Sequence, residues 1–582
     1  GCAPGEGRDD APLAEGARLL GSSAAPGPSR PPFFDALRAF DEQRAHSWHS
    51  PAHSGGTAFR KSAVGADFLD FYGHAVFRTD LSVSVGALGS LLEHTGVIGE
   101  AERNAARVFG ADRTYFVLNG TSTADRIVGH YSALPGDRVL VDRNCHKAVL
   151  HALVLSGARP TYLVPSRNGY GIIGPVPPSR LLPPDGPLDG PSGGDVALAV
   201  VTNSTYDGLC YDAVRVADLL SKSAPRVHFD EAWFGYARFH PLYDGRYGMA
   251  VTGRSLPGPE RPTVFATQST HKMLAALSQG AMLHVRSAPR APVRTRALDE
   301  TYMMHASTSP SYPMLASLDV ATAMVDQPGP SPVIEEALAE AIAFRQAVAH
   351  TAKAVRHTAP SGEENWFFGV WQPEDVTDPD TGETFLFEEA PVRLLLSDPR
   401  CWYLTADQDW HGFPGLPDGY CMLDPLKVTL TCPGVDAWGN RAECGVPARV
   451  LSAYLETRGI VVEKTGGHTV LVLFSPGSTR EKWVALLEAL ADFKALYDGG
   501  APLGQVLPGI VAAHPRQYDG LTLRGLCDRM HGFLDACDHA DLLAQAFMAL
   551  PEAALTPAAR AVRVRRRPAA ASGTSRPGSV PP

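Results

Sequence analysis

Four short polar stretches carry residue types suited to chemistry, and each follows a run rich in apolar and β-branched residues. In the first, Asn119-Gly120-Thr121-Ser122-Thr123, glycine permits a tight turn and three hydroxyls stand where a helix would begin. Hydroxyls there add donors to the unpaired backbone N–H groups of a first helical turn, which makes an anion site. The same pattern also serves as an ordinary helix cap, so both readings stay open for this motif alone. The second stretch, Asn144-Cys145-His146-Lys147, offers one histidine after the run ending at Asp142; taken alone, a single histidine reads as structural. The third, His228-Phe229-Asp230-Glu231-Ala232-Trp233, ends an apolar run with two acids. A carboxylate there is costly unless it is paired or hydrogen-bonded. It is well placed opposite a protonated ring nitrogen, and equally able to cap the next element. The fourth is Ser269-Thr270-His271-Lys272, followed by a small, mostly apolar stretch from Met273 to Ala281. A solvated surface charge explains that lysine poorly. Partial burial lowers the pKa of a lysine and makes it an imine-forming amine.

The order of the four is more informative than any one of them. An anion cradle, a histidine, a strand-terminal aspartate and a lysine are the parts that pyridoxal 5'-phosphate needs. Its phosphate needs donors, its ring a stacking partner, its pyridine nitrogen a carboxylate and its aldehyde an amine.

The elements that would position these residues follow from the pattern between them. β-rich runs occur at 115–120, 138–142, 161–165, 198–203, 226–231, 263–267 and 281–285. Many are nearly all apolar, as strands buried on both faces must be. Helical stretches such as 121–133 and 146–156 separate several of them, which predicts a mainly parallel sheet covered by helices. In such sheets ligands sit beyond the carboxyl ends of the strands, where the four polar stretches lie. A long helix is predicted over 334–355. Further strands (VTLTCPG, TVLVLFS) and helices (447–458, 480–497) predict a second, smaller α/β domain.

Composition narrows the function classes. The 582 residues are 44% hydrophobic and 20% charged, enough to bury a core, with a net charge of −10. An acidic chain is a poor electrostatic match for nucleic acid. No apolar run approaches the roughly 18–20 residues that span a bilayer. The 9 cysteines are scattered without a metal-like spacing, so no metal site is expected and reduced thiols are. These features read as a soluble, cytoplasmic protein without nucleic-acid or membrane partners.

Eight stretches resemble the bacterial Orn/Lys/Arg decarboxylases. They are NGTSTADRIVG, VDRNCHKAVLHALVLSGA, VTNSTYDGLCYDA, HFDEAWFGYARFHPLY, PTVFATQSTHKMLAALSQGAMLHV, YMMHASTSPSYPMLASLDVA, MLDPLKVTLTCPG and GIVVEKTG, collinear across about residues 31–557. The resemblance implies a fold type I pyridoxal phosphate enzyme. Its fold is aspartate aminotransferase-like, with a mainly parallel seven-stranded large domain and a smaller α/β C-terminal domain. The implied division is a disordered leader (1–30), an N-terminal linker region (31–85) and a cofactor-binding large domain (86–330). A small α/β domain (331–500), a partial C-terminal domain (501–557) and a disordered basic tail (558–582) follow.

The implied activity is decarboxylation of a basic L-amino acid, lysine or arginine and possibly ornithine, to an amine and CO2 with consumption of a proton. Acid resistance and polyamine supply are the roles such chemistry serves. An aminotransferase, another fold type I enzyme or an inactive remnant are the alternatives. By the resemblance, Lys272 forms the imine with the cofactor, Asp230 pairs with the pyridinium nitrogen and His146 stacks on the ring. Thr121, Ser122, Thr123, Ser269 and His271 hold the phosphate, and Trp233 lines the site. His271 or Lys272 donates the final proton. Thr308 and Ser309 reach the phosphate of a neighbouring subunit, implying at least a homodimer. Glu463 is the candidate partner for the substrate's side-chain cation. Asp125 departs from the family pattern by standing where asparagine is usual, and its charge would weaken phosphate binding if it pointed inward.

Overall fold

In the computed structural model, residues 30–46, 48–82, 85–182, 196–358, 365–550 and 555–566 are described. The leader expected over residues 1–30 lies outside them, apart from Arg30. The predicted β-rich runs become one seven-stranded sheet. Its strands are β1 (Arg113–Val117), β2 (Arg138–Asp142), β3 (Arg159–Leu163), β4 (Val196–Thr202), β5 (Arg226–Asp230), β6 (Thr263–Gln268) and β7 (Ala281–Arg286). Their order is β1-β7-β6-β5-β4-β2-β3. All run parallel except β7, which pairs antiparallel with both β1 and β6. Every residue of β6 is buried, as the central strand of a sheet covered on both faces must be.

Strands begin up to two residues earlier than predicted, and β1 ends at Val117 rather than Gly120. The cause is local: Gly120 takes φ +72° and turns the chain into the next helix. That helix, α1 (Thr121–Ser132), links β1 to β2, and α2 (Lys147–Ser156) links β2 to β3. α1 and α2 lie side by side, and α1 covers β5, β6 and β7. Two helices farther on are α3 (Thr295–His305) and α4 (Tyr312–Val325).

The long predicted helix is α5 (Pro332–His357), and it leads to a second sheet. That sheet is antiparallel, with β8 (Gly369–Val370), β9 (Lys427–Thr431), β10 (Lys464–Thr465) and β11 (Thr469–Leu473) in the order β10-β11-β9-β8. It is accompanied by α6 (Ala448–Thr457) and α7 (Arg480–Asp498), close to the predicted spans.

Charged side chains join the two sheets. Lys427 Nζ, with no exposure, donates to Asp424 Oδ2 at 2.8 Å and Ser204 Oγ at 3.0 Å, and contacts Tyr236 OH at 3.2 Å. Asp424 also accepts from Tyr243 OH at 2.7 Å and from the Leu426 N–H at 3.1 Å. From α5, buried Arg345 donates to the carbonyls of Pro425 and Lys427 at 3.0 and 2.8 Å and to Gln372 Oε1 at 3.2 Å.

Of the tail expected over 558–582, the described residues reach 566 and form helix α8 (Pro557–Arg566); the remainder lies outside the described residues. Proline at the first helical position, alanine and arginine behind it and Thr556 as cap explain the helix: Thr556 Oγ1 accepts from the Ala559 N–H at 3.2 Å.

Candidate active site

Parallel strands deliver their carboxyl ends to one edge, and the four polar stretches converge there. Thr121 opens α1, His146 caps α2, Asp230 is the last residue of β5, and Lys272 lies in a helical turn (Thr270–Met273) directly after β6. Among the described residues, no helix is long and apolar enough to cross a membrane.

The end of the site formed by α1 is rich in hydroxyls. Thr121 Oγ1 and Ser269 Oγ, from α1 and from the residue after β6, stand 2.5 Å apart. Ser122 is half-buried beside them. Thr123 behaves differently: its hydroxyl donates back to the Asn119 carbonyl at 3.1 Å and accepts from Arg126 Nη2 at 2.8 Å, so it is satisfied within its own helix. A Cβ on Gly120 would come no closer than 3.9 Å to Ser122 N, so the space over the first turn is open.

At the other end lies Asp230, 3% exposed. Its Oδ1 accepts from the Ala232 N–H at 3.2 Å. Burial raises its pKa, while the Ala232 N–H, His146 and Lys272 pull it back. His146 accepts from the Ala148 N–H at Nδ1 and is otherwise exposed, which leaves a ring face open above the sheet edge.

Lys272 sits between these ends. Its Nζ is 4.3 Å from the centre of the Trp233 ring. Burial pushes its pKa down against the opposing pull of Asp230, Asp125 and Glu463, and Lys427 lowers it further. His271 uses Nδ1 to donate to the Gly280 carbonyl at 2.8 Å, which leaves Nε2 uncommitted. Gly280 has little room for a side chain, since a Cβ would meet Leu277 O at 3.0 Å.

The opposite wall comes from the loop after β4 and from the second domain. Tyr206 packs on Trp233 with ring centres 5.0 Å apart. Glu463 is on the open side; partial burial raises its pKa and Lys272 lowers it. Its neighbour Lys464 bridges to buried Asp207, which also accepts from Thr429 Oγ1 at 3.2 Å, so the second sheet is bolted to the loop that carries Tyr206.

The structure therefore brings together Thr121, Ser122, Ser269, His271, Lys272, Asp230, His146, Trp233 and Glu463. It does not bring Thr308 or Ser309 to Lys272 within the chain. Both are exposed on the segment between α3 and α4, where Ser309 joins Asn119 and Thr123 around a cavity of about 200 Å³. Sequence reasoning missed Tyr206, Asp207, Lys464, His228 and Thr267. The period of two along HFD could have flagged His228, because residues 228 and 230 share one strand face. Asp125 points neither to solvent nor to the hydroxyl end. It is 2% exposed beneath α1, where its Oδ1 accepts from Thr267 Oγ1 at 2.8 Å.

An aldehyde-bearing aromatic phosphate fits this set on the chain's own evidence. Hydroxyls and a helix N-terminus stand at one end, a buried acid that accepts a single hydrogen bond, from the Ala232 N–H, at the other, an open ring face above, and a desolvated amine between them.

Residues 31–482 match the family described as Orn/Lys/Arg decarboxylase, major domain. The chain is 47% identical over 534 residues to the lysine decarboxylase LdcA of Pseudomonas aeruginosa, covering 90% of this chain and 68% of that protein. It is 44% identical over 536 residues to the biodegradative arginine decarboxylase of Escherichia coli, covering 90% and 70%. The solved structure of lysine decarboxylase A from Pseudomonas aeruginosa superposes with a TM-score of 0.83 at 45% identity, over 92% of this chain and 69% of that one. With its sequence matched along most of its length and its fold shared with solved members, the chain belongs to the Orn/Lys/Arg decarboxylase family.

Proposed function

We propose that the protein is a pyridoxal phosphate-dependent carboxy-lyase that removes the α-carboxylate of a basic L-amino acid, lysine or arginine, with ornithine the less similar case. The observation that carries this is the conjunction of a desolvated Lys272, a buried Asp230 and a hydroxyl-lined helix start at one sheet edge, in a chain of this family. Relatives named as lysine and arginine decarboxylases are 47% and 44% identical, whereas the constitutive ornithine decarboxylase of Escherichia coli is 35% identical.

The cofactor, when bound, supplies an aromatic ring able to accept the electron pair that the departing carboxylate leaves behind. The remaining work falls to this chain. Burial of Lys272 favours its neutral amine, the form able to bond a carbonyl carbon. Asp230 would hold a proton at the ring nitrogen, and the Ala232 N–H keeps its carboxylate oriented. Thr121, Ser122 and Ser269, with the N–H groups of α1, would hold the phosphate. His146 would supply a stacking partner for the ring, and Trp233 packs against the Lys272 Nζ. Thr123 is assigned a supporting role, since its hydroxyl is engaged with Asn119 and Arg126.

His271, anchored through Nδ1–H to the Gly280 carbonyl, would return a proton to Cα from Nε2 after taking that proton up from solvent as the imidazolium; Lys272 is the other candidate. Glu463 receives the side-chain cation of the substrate. Thr308 and Ser309, exposed in the single chain, are assigned to the phosphate of a second subunit in a homodimer.

A CO2-release assay on lysine, arginine and ornithine, with borohydride trapping and peptide mapping, tests this reading. The expected result is release from lysine or arginine and a label on Lys272. No release from any of the three, or a label at another residue, overturns it.

A further inference from the structure

Four side chains meet on the sheet face beneath α1, and the reaction as described uses only one of them. Residues 228 and 230 of β5 point to this face, Thr267 of β6 stands in register with Asp230, and Asp125 descends from α1. Thr267 has one hydroxyl hydrogen, and Asp125 Oδ1 takes it at 2.8 Å. The hydroxyl oxygen must then accept from His228, whose Nε2 lies 2.9 Å away. His228 is thus a neutral ring with its hydrogen on Nε2, in keeping with its burial, which lowers its pKa to about 3. Its Nε2 is 3.6 Å from Asp125 Oδ1 and already engaged by Thr267.

The other oxygen, Asp125 Oδ2, is buried with no hydrogen-bond partner. A bare carboxylate oxygen in that position leaves charge undelivered to any donor, which is strongly unfavourable in a buried setting. The charge of Asp230 lies close enough to raise the proton affinity of Asp125. Two buried carboxyls in such a relation share one proton rather than ionise together. The surroundings decide which holds it. Asp230 has the Ala232 N–H, His146 and Lys272 in its favour. Asp125 has Thr267 as its hydrogen-bond donor, with weaker help from Lys272 and from Arg126 on its own helix, and Cys145 adds no positive charge.

We infer that Asp125 is a positioning residue that stays protonated, leaving Asp230 as the single negative charge that faces the cofactor's ring nitrogen. The inference rests on the proposed role of Asp230 and deepens it. A second charge at Asp125 would raise the proton affinity of Asp230 and let the carboxyl, rather than the ring nitrogen, keep the proton. A neutral Asp125 prevents that, and the Asp125–Thr267–His228 chain of hydrogen bonds fixes where it sits.

Infrared spectroscopy of the full chain, carrying carbon-13-labelled aspartate and reconstituted with pyridoxal phosphate, reads this directly. At mildly alkaline pH the carbonyl stretch of one protonated aspartic acid is expected. It should vanish in Asp125→Asn. Absence of the band from the unsubstituted protein overturns the inference without any variant. A band that survives Asp125→Asn places the proton elsewhere and also overturns it. If Asp125→Asn does not fold, Asp125→Glu carries the test: it keeps an acid there but leaves it unlabelled, so the labelled band should again vanish, and its survival overturns the inference. Borohydride labelling of Lys272 in the same preparation separates the two claims: a missing label removes the proposed chemistry, whereas a label without the band removes only the role of Asp125.

Discussion

Arg345, Asp424 and Lys427 at the junction of the two sheets, and Asp125 on α1 with Asp230 at the end of β5, are buried to nearly the same degree, 0% exposed against 2–3%. Burial therefore does not distinguish them; hydrogen bonding does. Asp424 takes donors on both oxygens, from Lys427, Tyr236, Tyr243 and Leu426, and Lys427 Nζ has three partners. That cluster is complete and needs nothing more. Asp230 has one side-chain hydrogen bond, from the Ala232 N–H, and Asp125 has an oxygen with none. For Asp125 the missing partner is met by the proton inferred above; for Asp230, a buried charge left partly unprovided for is costly by itself, so its persistence points to a ligand that completes it. The two regions also communicate, since the positive charge of Lys427 helps to depress the pKa of Lys272.

The largest expected effect separates chemistry from stability. Lys272→Ala should lower CO2 release by about 10⁴-fold or more while the thermal unfolding midpoint stays put, because the lysine makes few interactions that hold the fold. Retained turnover would end the assignment of Lys272, and a large fall in the midpoint would mean that the site, too, is structural. Lys427→Met should reverse the pattern. It strands Asp424 among hydroxyls in a buried setting, and breaking such a pair costs about 3–5 kcal/mol. Denaturant unfolding measures this; a loss below about 1 kcal/mol would show that the junction cluster is not what joins the sheets.

How much of this contrast could be read from sequence differs between the regions. The strand-end residues were legible because each sits immediately after a run of buried-strand character, and topology then gathers them at one edge. The antiparallel course of β7 was not legible, since AMLHV is as apolar as its parallel neighbours. The junction cluster was hidden for another reason. Arg345 reads as one more charge on a 26-residue helix, and only the carbonyls of residues 425 and 427, some eighty positions later, explain its burial. The burial of Asp125 was equally hidden, because the fifth residue of a helix faces sheet or solvent according to how the helix sits on its strands. Thr308 and Ser309 lie in a recognisable motif, yet among the described residues they stand exposed between α3 and α4, away from Lys272.

Glu231, the neighbour of Asp230, lies between the two patterns and gives the finest test. It accepts from the Gly248 N–H at 2.6 Å, Gln268 Nε2 at 2.8 Å and Asn203 Nδ2 at 3.2 Å, so it is well provided with donors. Yet it is buried with no cation among those donors, and burial pushes its pKa up to about 7, above the 4.5 of a free glutamate. Between those two values the folded chain binds more protons here than the unfolded chain. Stability from this group is then greatest below about pH 4.5, falls as pH rises through that window and levels off above about 7. The span corresponds to on the order of 3 kcal/mol. Glu231→Gln removes the titration while keeping the shape, so its unfolding free energy should fall less steeply over the same window, whatever its absolute stability. Identical slopes in the two proteins would mean that the three donors suffice to hold Glu231 ionised. Hydrogen bonds alone would then make a buried acid complete, and the missing partners of Asp230 would no longer argue for a cationic ligand.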